Sequence, residues 1–247
     1  MYPITVESLP TSGLANYPFK VVELLPFSFI DIIDYLRTYP SGGSEYDIFM
    51  YRYRLSKRKI KDIDQLYLPD IYYLWYVLFS ISINDSLNID INYNCPSCGT
   101  KNKCGVSHSE VKYKRFDKVD FDFTFSNGRR IKFKFPTGAQ IEKNIAKYSV
   151  PKYGFNIPLD VALMIISSEL YEKNPLEAEN LVLGATGEDA MIMFGVKELM
   201  TDVIQDYQHQ CKNCGDINLL DLSSILSNDF FRLFVENTRP VKIQDSP

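Results

Sequence analysis

The feature that most constrains this chain is a pair of short knuckles, Cys95-Pro96-Ser97-Cys98-Gly99 and Cys211-Lys212-Asn213-Cys214-Gly215, set more than a hundred residues apart. In each, a tight turn aims two thiolates at one point, and the glycine behind them tolerates the backbone conformation that closes the turn. Together they supply the four sulfurs of a tetrahedral structural Zn²⁺ site. Such a closed shell leaves no open position for catalysis, so the metal is expected as a staple tying a late segment to an early one. Two other uses of paired cysteines fit less well. Disulfides are disfavoured because Met1–Leu9 shows no secretory pattern and a chain of 247 residues does not need bridges to fold. A redox Cys-x-x-Cys opens a helix after a strand, whereas here a glycine follows each pair and the flanks look like hairpin. Cys104 is the odd thiol, and His108 and His209 are the only histidines. Cys104 reads as a strand residue and His209 as a support for the ligands rather than a ligand itself.

Composition narrows the function. A formal charge of −4 and a pI near 5.3 weigh against a general nucleic-acid binder. The apolar fraction of 45% and charged fraction of 23% are those of an ordinary soluble globular protein with room for a buried core. Aromatic residues, at 14%, are mostly Tyr and Phe, types that protein interfaces favour. The longest apolar run, Ile71–Ile83, is too short and too aromatic to span a bilayer and predicts a buried helix; no membrane segment is expected.

Along the chain, two extended runs, Ile4–Leu9 and Phe19–Leu25, flank the turn-rich Pro10-Thr11-Ser12-Gly13 and predict a hairpin or arm. Ser28 with Asp31 has capping-box spacing for a helix that must stop by Pro40. A second helix is expected from Ser44 and a third from Asp70 to Ile83. Between them Tyr51–Lys61 interleaves six basic residues with aromatics. It reads as a solvated helical face with tyrosines turned inward, a phosphate grip or an acidic protein partner being the alternatives. Leu87–Tyr93 and Lys101–His108 read as the strands of a zinc hairpin around the first knuckle. Val119–Phe125 and Arg129–Phe135 alternate strictly about Asn127-Gly128, which predicts a hairpin closed by a type I′ turn. Asp120 and Asp122 share one face of it, expected as a polar strand face rather than a metal site.

Pro136-Thr137-Gly138-Ala139-Gln140 repeats the order of Pro26–Asp31: strand, proline, hydroxyl cap, acceptor three residues on. Both read as hairpin then helix, the hint of a duplicated unit. Helices are expected over Leu159–Leu170, Pro175–Leu183 and Gly187 to about Gln208. The last has a Thr186/Asp189 capping box and Ile192, Val196, Leu199, Met200, Val203 and Tyr207 on one face. A strand over Ile217–Leu222, a final helix over Ser223–Val235 with Leu226, Phe230, Phe231 and Phe234, and a loosely held tail, Asn237–Pro247, complete the chain.

The fold class is therefore α+β: β-hairpins and a split four-cysteine zinc-ribbon module joined to helical segments. One composite domain is expected from four parts: 1–84 with the first hairpin and helices, 85–135 with the first knuckle and its hairpins, 136–210 as a helical insert, and 211–247 with the second knuckle and final helix. Catalytic signatures are missing: no nucleophile elbow, phosphate-binding loop, His-Glu-x-x-His or dinucleotide glycine motif occurs. The carboxylate pairs Asp31/Asp34, Asp62/Asp64 and Glu188/Asp189 have simpler roles as caps or solvated charges. No catalytic residue and no small-molecule substrate are expected.

Leu9-Pro10-Thr11-Ser12-Gly13 with Tyr17 and Val21–Phe29, the two knuckles, and the strand end Phe135-Pro136-Thr137-Gly138 resemble the baseplate hub and hub-assembly proteins of T-even-like contractile-tail phages. Phe27-Ser28-Phe29 only approximates the helix start of that family, and Arg52–Lys61 has no assignable counterpart. The resemblance implies a protein that assembles the central hub through contacts with other tail proteins, in the host cytoplasm during assembly or in the virion baseplate, with no cofactor beyond the metal. Tyr17, Phe19, Phe230, Phe231 and Phe234 are the expected contact residues. The alternative is a zinc-ribbon regulator or replication accessory binding DNA or RNA through Arg52–Lys61 and Arg129–Lys134.

Overall fold

The computed structural model describes residues 1–38, 44–83, 88–107, 110–150 and 157–222. Strands β1 (Tyr2–Thr5) and β2 (Val21–Leu24) lead into α1 (Phe29–Thr38), α2 (Glu45–Lys57) and α3 (Leu68–Ile83). Hairpin β3 (Asn88–Asn94) and β4 (Lys101–Ser107) carries the first knuckle, and β5 (Asp120–Thr124) and β6 (Arg130–Lys134) form the next. Helices α4 (Gly138–Asn144), α5 (Leu159–Ser167), α6 (Pro175–Leu183) and α7 (Gly187–Thr201) follow. Strands β7 (Tyr207–Gln210) and β8 (Ile217–Leu220) carry the second knuckle. The class is α+β, with four separate two-stranded antiparallel sheets among the described residues. Since a lone hairpin is marginal in water, each needs partners beyond its own two strands.

Helix α3 anchors the packing. Leu68, Ile71, Leu74 and Leu78 are fully buried, and Trp75, Tyr76 and Val77 nearly so, so the helix is apolar on most of its circumference, as a core helix must be. It packs against α7, while α5 packs against α4, α6 and α7. No helix among the described residues is long and apolar enough to cross a membrane. The first turn of α3 holds a buried carboxylate, Asp70, which accepts hydrogen bonds from the Thr11 amide (3.0 Å), the Thr11 hydroxyl (2.5 Å) and the Tyr17 hydroxyl (2.6 Å). Tyr17 in turn accepts from the Tyr67 amide at 3.0 Å. Burial pushes the Asp70 carboxyl up, and the three donors with the helix N-terminus pull against it. The Leu9–Tyr17 stretch is thus the clamp that fastens the N-terminal arm to α3. Tyr17 and Phe19, which stack at 5.3 Å and are half-buried, belong to that clamp rather than to an open contact surface.

The linker between α2 and α3 is gripped from both sides. The Leu25 amide bonds to Lys59 O and the Lys61 amide to Glu23 O, while the Leu68 amide bonds to Pro136 O and the Gly138 amide to Leu66 O. The two similar sequence stretches therefore occupy similar places. Each follows a hairpin, pairs with this linker and starts a helix with a reciprocal cap, Ser28 with Asp31 and Thr137 with Gln140. Three lysines of the basic run are engaged here. Lys57 pairs with Asp64 (2.8 Å) and Glu142 (2.6 Å), Lys59 with Asp31 (2.5 Å) and Lys61 with Glu23 (3.3 Å). The Arg52 guanidinium lies 5.4 Å from the Trp75 ring centre, and Tyr53 is fully buried.

Three expectations need correction. The β5–β6 turn is not type I′, because Gly128 has φ 82° but Asn127 does not have the positive φ that type requires. The Phe125 amide bonds to Arg129 O, leaving a three-residue loop with Gly128 in the left-handed position. The Thr186/Asp189 box is also incomplete, since the Thr186 side chain caps no backbone N–H. Asp189 instead accepts from the Ser126 amide (3.0 Å) and hydroxyl (2.8 Å), joining α7 to that loop. Helix α7 stops at Thr201 rather than near Gln208, because the Lys114 amide bonds to Val203 O and the Gln205 amide to Lys112 O, drawing 203–205 into extended pairing. Its buried apolar side chains among the described residues are Met193 and Met200, while Ile192 is half exposed. The final helix and tail lie outside the described residues, as do Leu87 and His108.

Two outcomes follow. A methyl group on Gly138 would stand 2.5 Å from both Ile63 O and Tyr53 Oη, so Gly138→Ala is expected to cost about 1–3 kcal/mol in denaturant unfolding. Asp31 titrates below the ordinary carboxylate value: burial opposes its ionisation, but Lys59 and the Ser28 amide and hydroxyl outweigh it. A folded value below the unfolded one stabilises above about pH 4 and the effect drains as pH falls through the folded value. Lys59→Met should flatten this part of the acid limb of stability against pH.

Candidate metal centre

The two knuckles are built alike. In the first, the Cys95 amide bonds to Thr100 O (2.9 Å) and the Gly99 amide to Cys95 O (2.8 Å), with Gly99 at φ 70°. In the second, the Cys211 amide bonds to Asp216 O (2.8 Å) and the Gly215 amide to Cys211 O (3.0 Å), with Gly215 at φ 80°. The positive φ is where glycine is needed, since a Cβ would strain the backbone that turns the second thiol back toward the first. Each knuckle is the end of a two-stranded ribbon, and the ribbons meet tip to tip.

All four predicted cysteines come together, their sulfurs lying within 4.8 Å of one another. Cys95 Sγ is 3.7 Å from Cys214 Sγ, and Cys98 Sγ is 3.7 Å from Cys211 Sγ. A tetrahedron with metal–sulfur arms of about 2.3 Å has edges of about 3.8 Å, so these separations suit a shared divalent ion. They are far too long for the roughly 2.05 Å of a disulfide, and no disulfide links the cysteines. Cys95 and Cys211 are buried, whereas Cys98 and Cys214 are exposed. Cys104 stands apart, facing the hydrophobic core from β4.

The thiols hold one another's protons in tension. Contacts with the Thr100 hydroxyl and amide bring Cys98 down to about 6. Cys211 is also lowered, by the Cys214 and Asn213 amides and the Asn102 side chain. Cys214, although the Asp216 amide favours its thiolate, is pushed up to about 12 by burial and the neighbouring thiols. Four like charges at these separations cannot all form unless a cation joins them, which is the electrostatic condition for metal capture.

Several neighbours complete the site. His209 is not a ligand: its Nδ1 lies 2.7 Å from the Tyr93 hydroxyl, and the two rings meet edge to face at 5.6 Å. Asn102 and Asn218, both buried polar residues absent from the sequence expectations, contact Cys211 and Cys95. Their signal was an equal offset, each lying four residues beyond the second cysteine of its knuckle. Asp120 and Asp122 do not form a second site, since Lys132 sits 3.3 Å and 3.9 Å from them across the strand pair.

Residues 54–231 match the family described as T4 bacteriophage base plate protein. The chain belongs to that family. A search of curated proteins found no match, and one of solved structures found none. For this T4-type baseplate protein the matched span contains both knuckles, α3, the β5–β6 hairpin and α4–α7. The four-cysteine cluster is thus part of the family region, in a protein whose role is structural and baseplate-associated. Titration of the reduced chain with Co²⁺ should show one tetrahedral thiolate site per chain. Cys98→Ser and Cys214→Ser should lose it to similar degrees, and Cys104→Ser should keep it.

Proposed function

We propose that this chain is a component or assembly factor of the baseplate hub, that it works through contacts with other tail proteins, and that Zn²⁺ is the ion its four cysteines hold. Family membership over residues 54–231 carries the baseplate part of this reading. Support for the hub comes from Leu9–Gly13 and Tyr17, which resemble the opening of the hub proteins and are wired into the matched region through Asp70. The all-sulfur donor set and its tetrahedral edges favour Zn²⁺ over hard cations, which prefer oxygen. In the closed shell the ion would stabilise the fold and leave no position for substrate.

A non-catalytic role agrees with where the carboxylates lie. Asp31 is held by Lys59 and Ser28, Asp64 by Lys57 and Tyr53, and Asp189 by Ser126 and Thr186. Against the nucleic-acid alternative, three lysines of the basic run are engaged in ion pairs within the chain. Large apolar side chains left exposed include Phe29 and Ile30 on α1 and Met191, Ile192 and Phe194 on α7. These replace Tyr17 and Phe19 as candidate contacts. The protein would act in the host cytoplasm during assembly or remain in the virion baseplate.

The test is genetic and chemical together. Phage lacking the chain should still make sheaths, tubes or peripheral wedges but no completed baseplates, and the purified chain should contain about one zinc per four-cysteine site. Normal baseplates with failed replication or late transcription would overturn the hub reading in favour of the regulator. Filter binding against salt separates the two independently, because phosphate contacts impose a steep negative slope.

A further inference from the structure

The two ribbons are related by a local pseudo-twofold axis that extends beyond the cysteines. Tyr93 and His209 each precede the first cysteine of their knuckle by two positions and touch each other across the axis at 2.7 Å. Thr100 and Asp216 each follow the second cysteine by two, and their carbonyls close the two knuckles. Asn102 and Asn218 each follow it by four, and each side-chain amide donates to its own knuckle's closing carbonyl, Thr100 O at 2.9 Å and Asp216 O at 3.1 Å. Both asparagines also reach the first cysteine of the opposite knuckle.

Here the symmetry breaks. Asn102 Nδ2 donates to Cys211 Sγ at 3.4 Å while its Oδ1 accepts from the Lys212 amide at 3.1 Å, so one side chain grips both the sulfur and the backbone of the other knuckle. On the equivalent side Pro96 stands where the second knuckle has Lys212 and offers no N–H. Asn218 Oδ1 is left facing Cys95 Sγ at 3.6 Å, and its Nδ2 turns to Asp216 O and, at 3.4 Å, to the Tyr93 hydroxyl. Cys211 also lies 3.5 Å from the Asn213 amide, so donors gather at the sulfur of the late knuckle.

We propose that Asn102 is a positioning residue for the metal centre, orienting the Cys211 sulfur and docking the second knuckle onto the first, and that Asn218 does not share this role because Pro96 removes the matching donor. This rests on the metal-binding reading above. An amide that donates to a metal thiolate fixes its direction and lowers its lone-pair energy, and neighbours of this kind typically govern metal affinity about 10–100-fold.

The test is Co²⁺ and Zn²⁺ titration of the full chain with a competing chelator, read by affinity and by the sulfur-to-cobalt charge-transfer band. Wild type must first show the four-thiolate cobalt spectrum; its absence would remove the metal reading itself. Given that spectrum, Asn102→Ala is expected to weaken binding roughly 10–100-fold and move the band to longer wavelength, with Asn218→Ala weakening it less. Unchanged affinity and band in Asn102→Ala, or an equal or larger loss in Asn218→Ala, overturns the proposal. Should Asn102→Ala fail to fold, Asn102→Asp decides: it keeps an acceptor for the Lys212 amide but no donor for Cys211. Reduced affinity with a shifted band then supports the proposal, and wild-type behaviour leaves only a backbone clamp and overturns it.

Discussion

The meeting of two ribbons from distant parts of the chain is the constraint on which the rest of the structure depends. Cys98 and Cys211 lie 113 positions apart, and closing a flexible loop of that length costs about 4 kcal/mol in chain entropy. Something local has to offset that cost, because each ribbon alone is a two-stranded hairpin with little to bury. The structure supplies it at the tips, where four sulfurs, the Asn102 bridge to Lys212 and the Tyr93–His209 contact converge. It also supplies it at the bases, where α3 leads into the first ribbon and packs against α7, which leads into the second. The segment between the ribbons is thereby held at both ends.

Charge is used in the same inward manner. A buried carboxylate such as Asp70 is tolerable because three donors converge on it, and those donors come from a stretch more than fifty residues earlier. The lysines of the basic run each reach a different element: Lys57 reaches α4, Lys59 reaches α1 and Lys61 reaches β2. The Lys57 and Lys61 pairs are part-exposed and add little stability individually, whereas Lys59–Asp31 is largely buried. Spread over three elements, they specify which hairpin-to-helix junction sits on which side of the linker. A sequence that looks like an electrostatic surface is thus an internal registration device.

This construction suits a protein of a multi-component baseplate. Several large apolar side chains stay exposed, Phe29, Ile30, Met191 and Phe194 among them, while Asp70 and its donor Thr11 are buried. A metal in the four-cysteine site would stiffen the junction without creating reactive chemistry. The family assignment makes this a baseplate-associated structural protein.

Much was legible from local patterning. The α+β class, the boundaries of α6, the caps at Ser28 and Thr137, the buried α3 and the convergence of Cys95, Cys98, Cys211 and Cys214 follow from periods, caps and spacings that act within a few residues. What the pattern could not reveal were interactions between positions far apart in sequence. Pairing of 203–205 with 112–114 cut α7 short, Ser126 joined Thr186 on Asp189, and Asp70 turned Tyr17 from an apparent contact residue into a clamp. The role of Asn102 was hidden for the same reason, since the partners that define it lie 109 and 110 positions away. Sequence alone determined the elements and the chemistry of the cluster, because backbone propensity and thiol spacing are local. Tertiary structure decided where the polar groups spend their hydrogen bonds, because a buried donor or acceptor takes whichever partner the packing brings within reach.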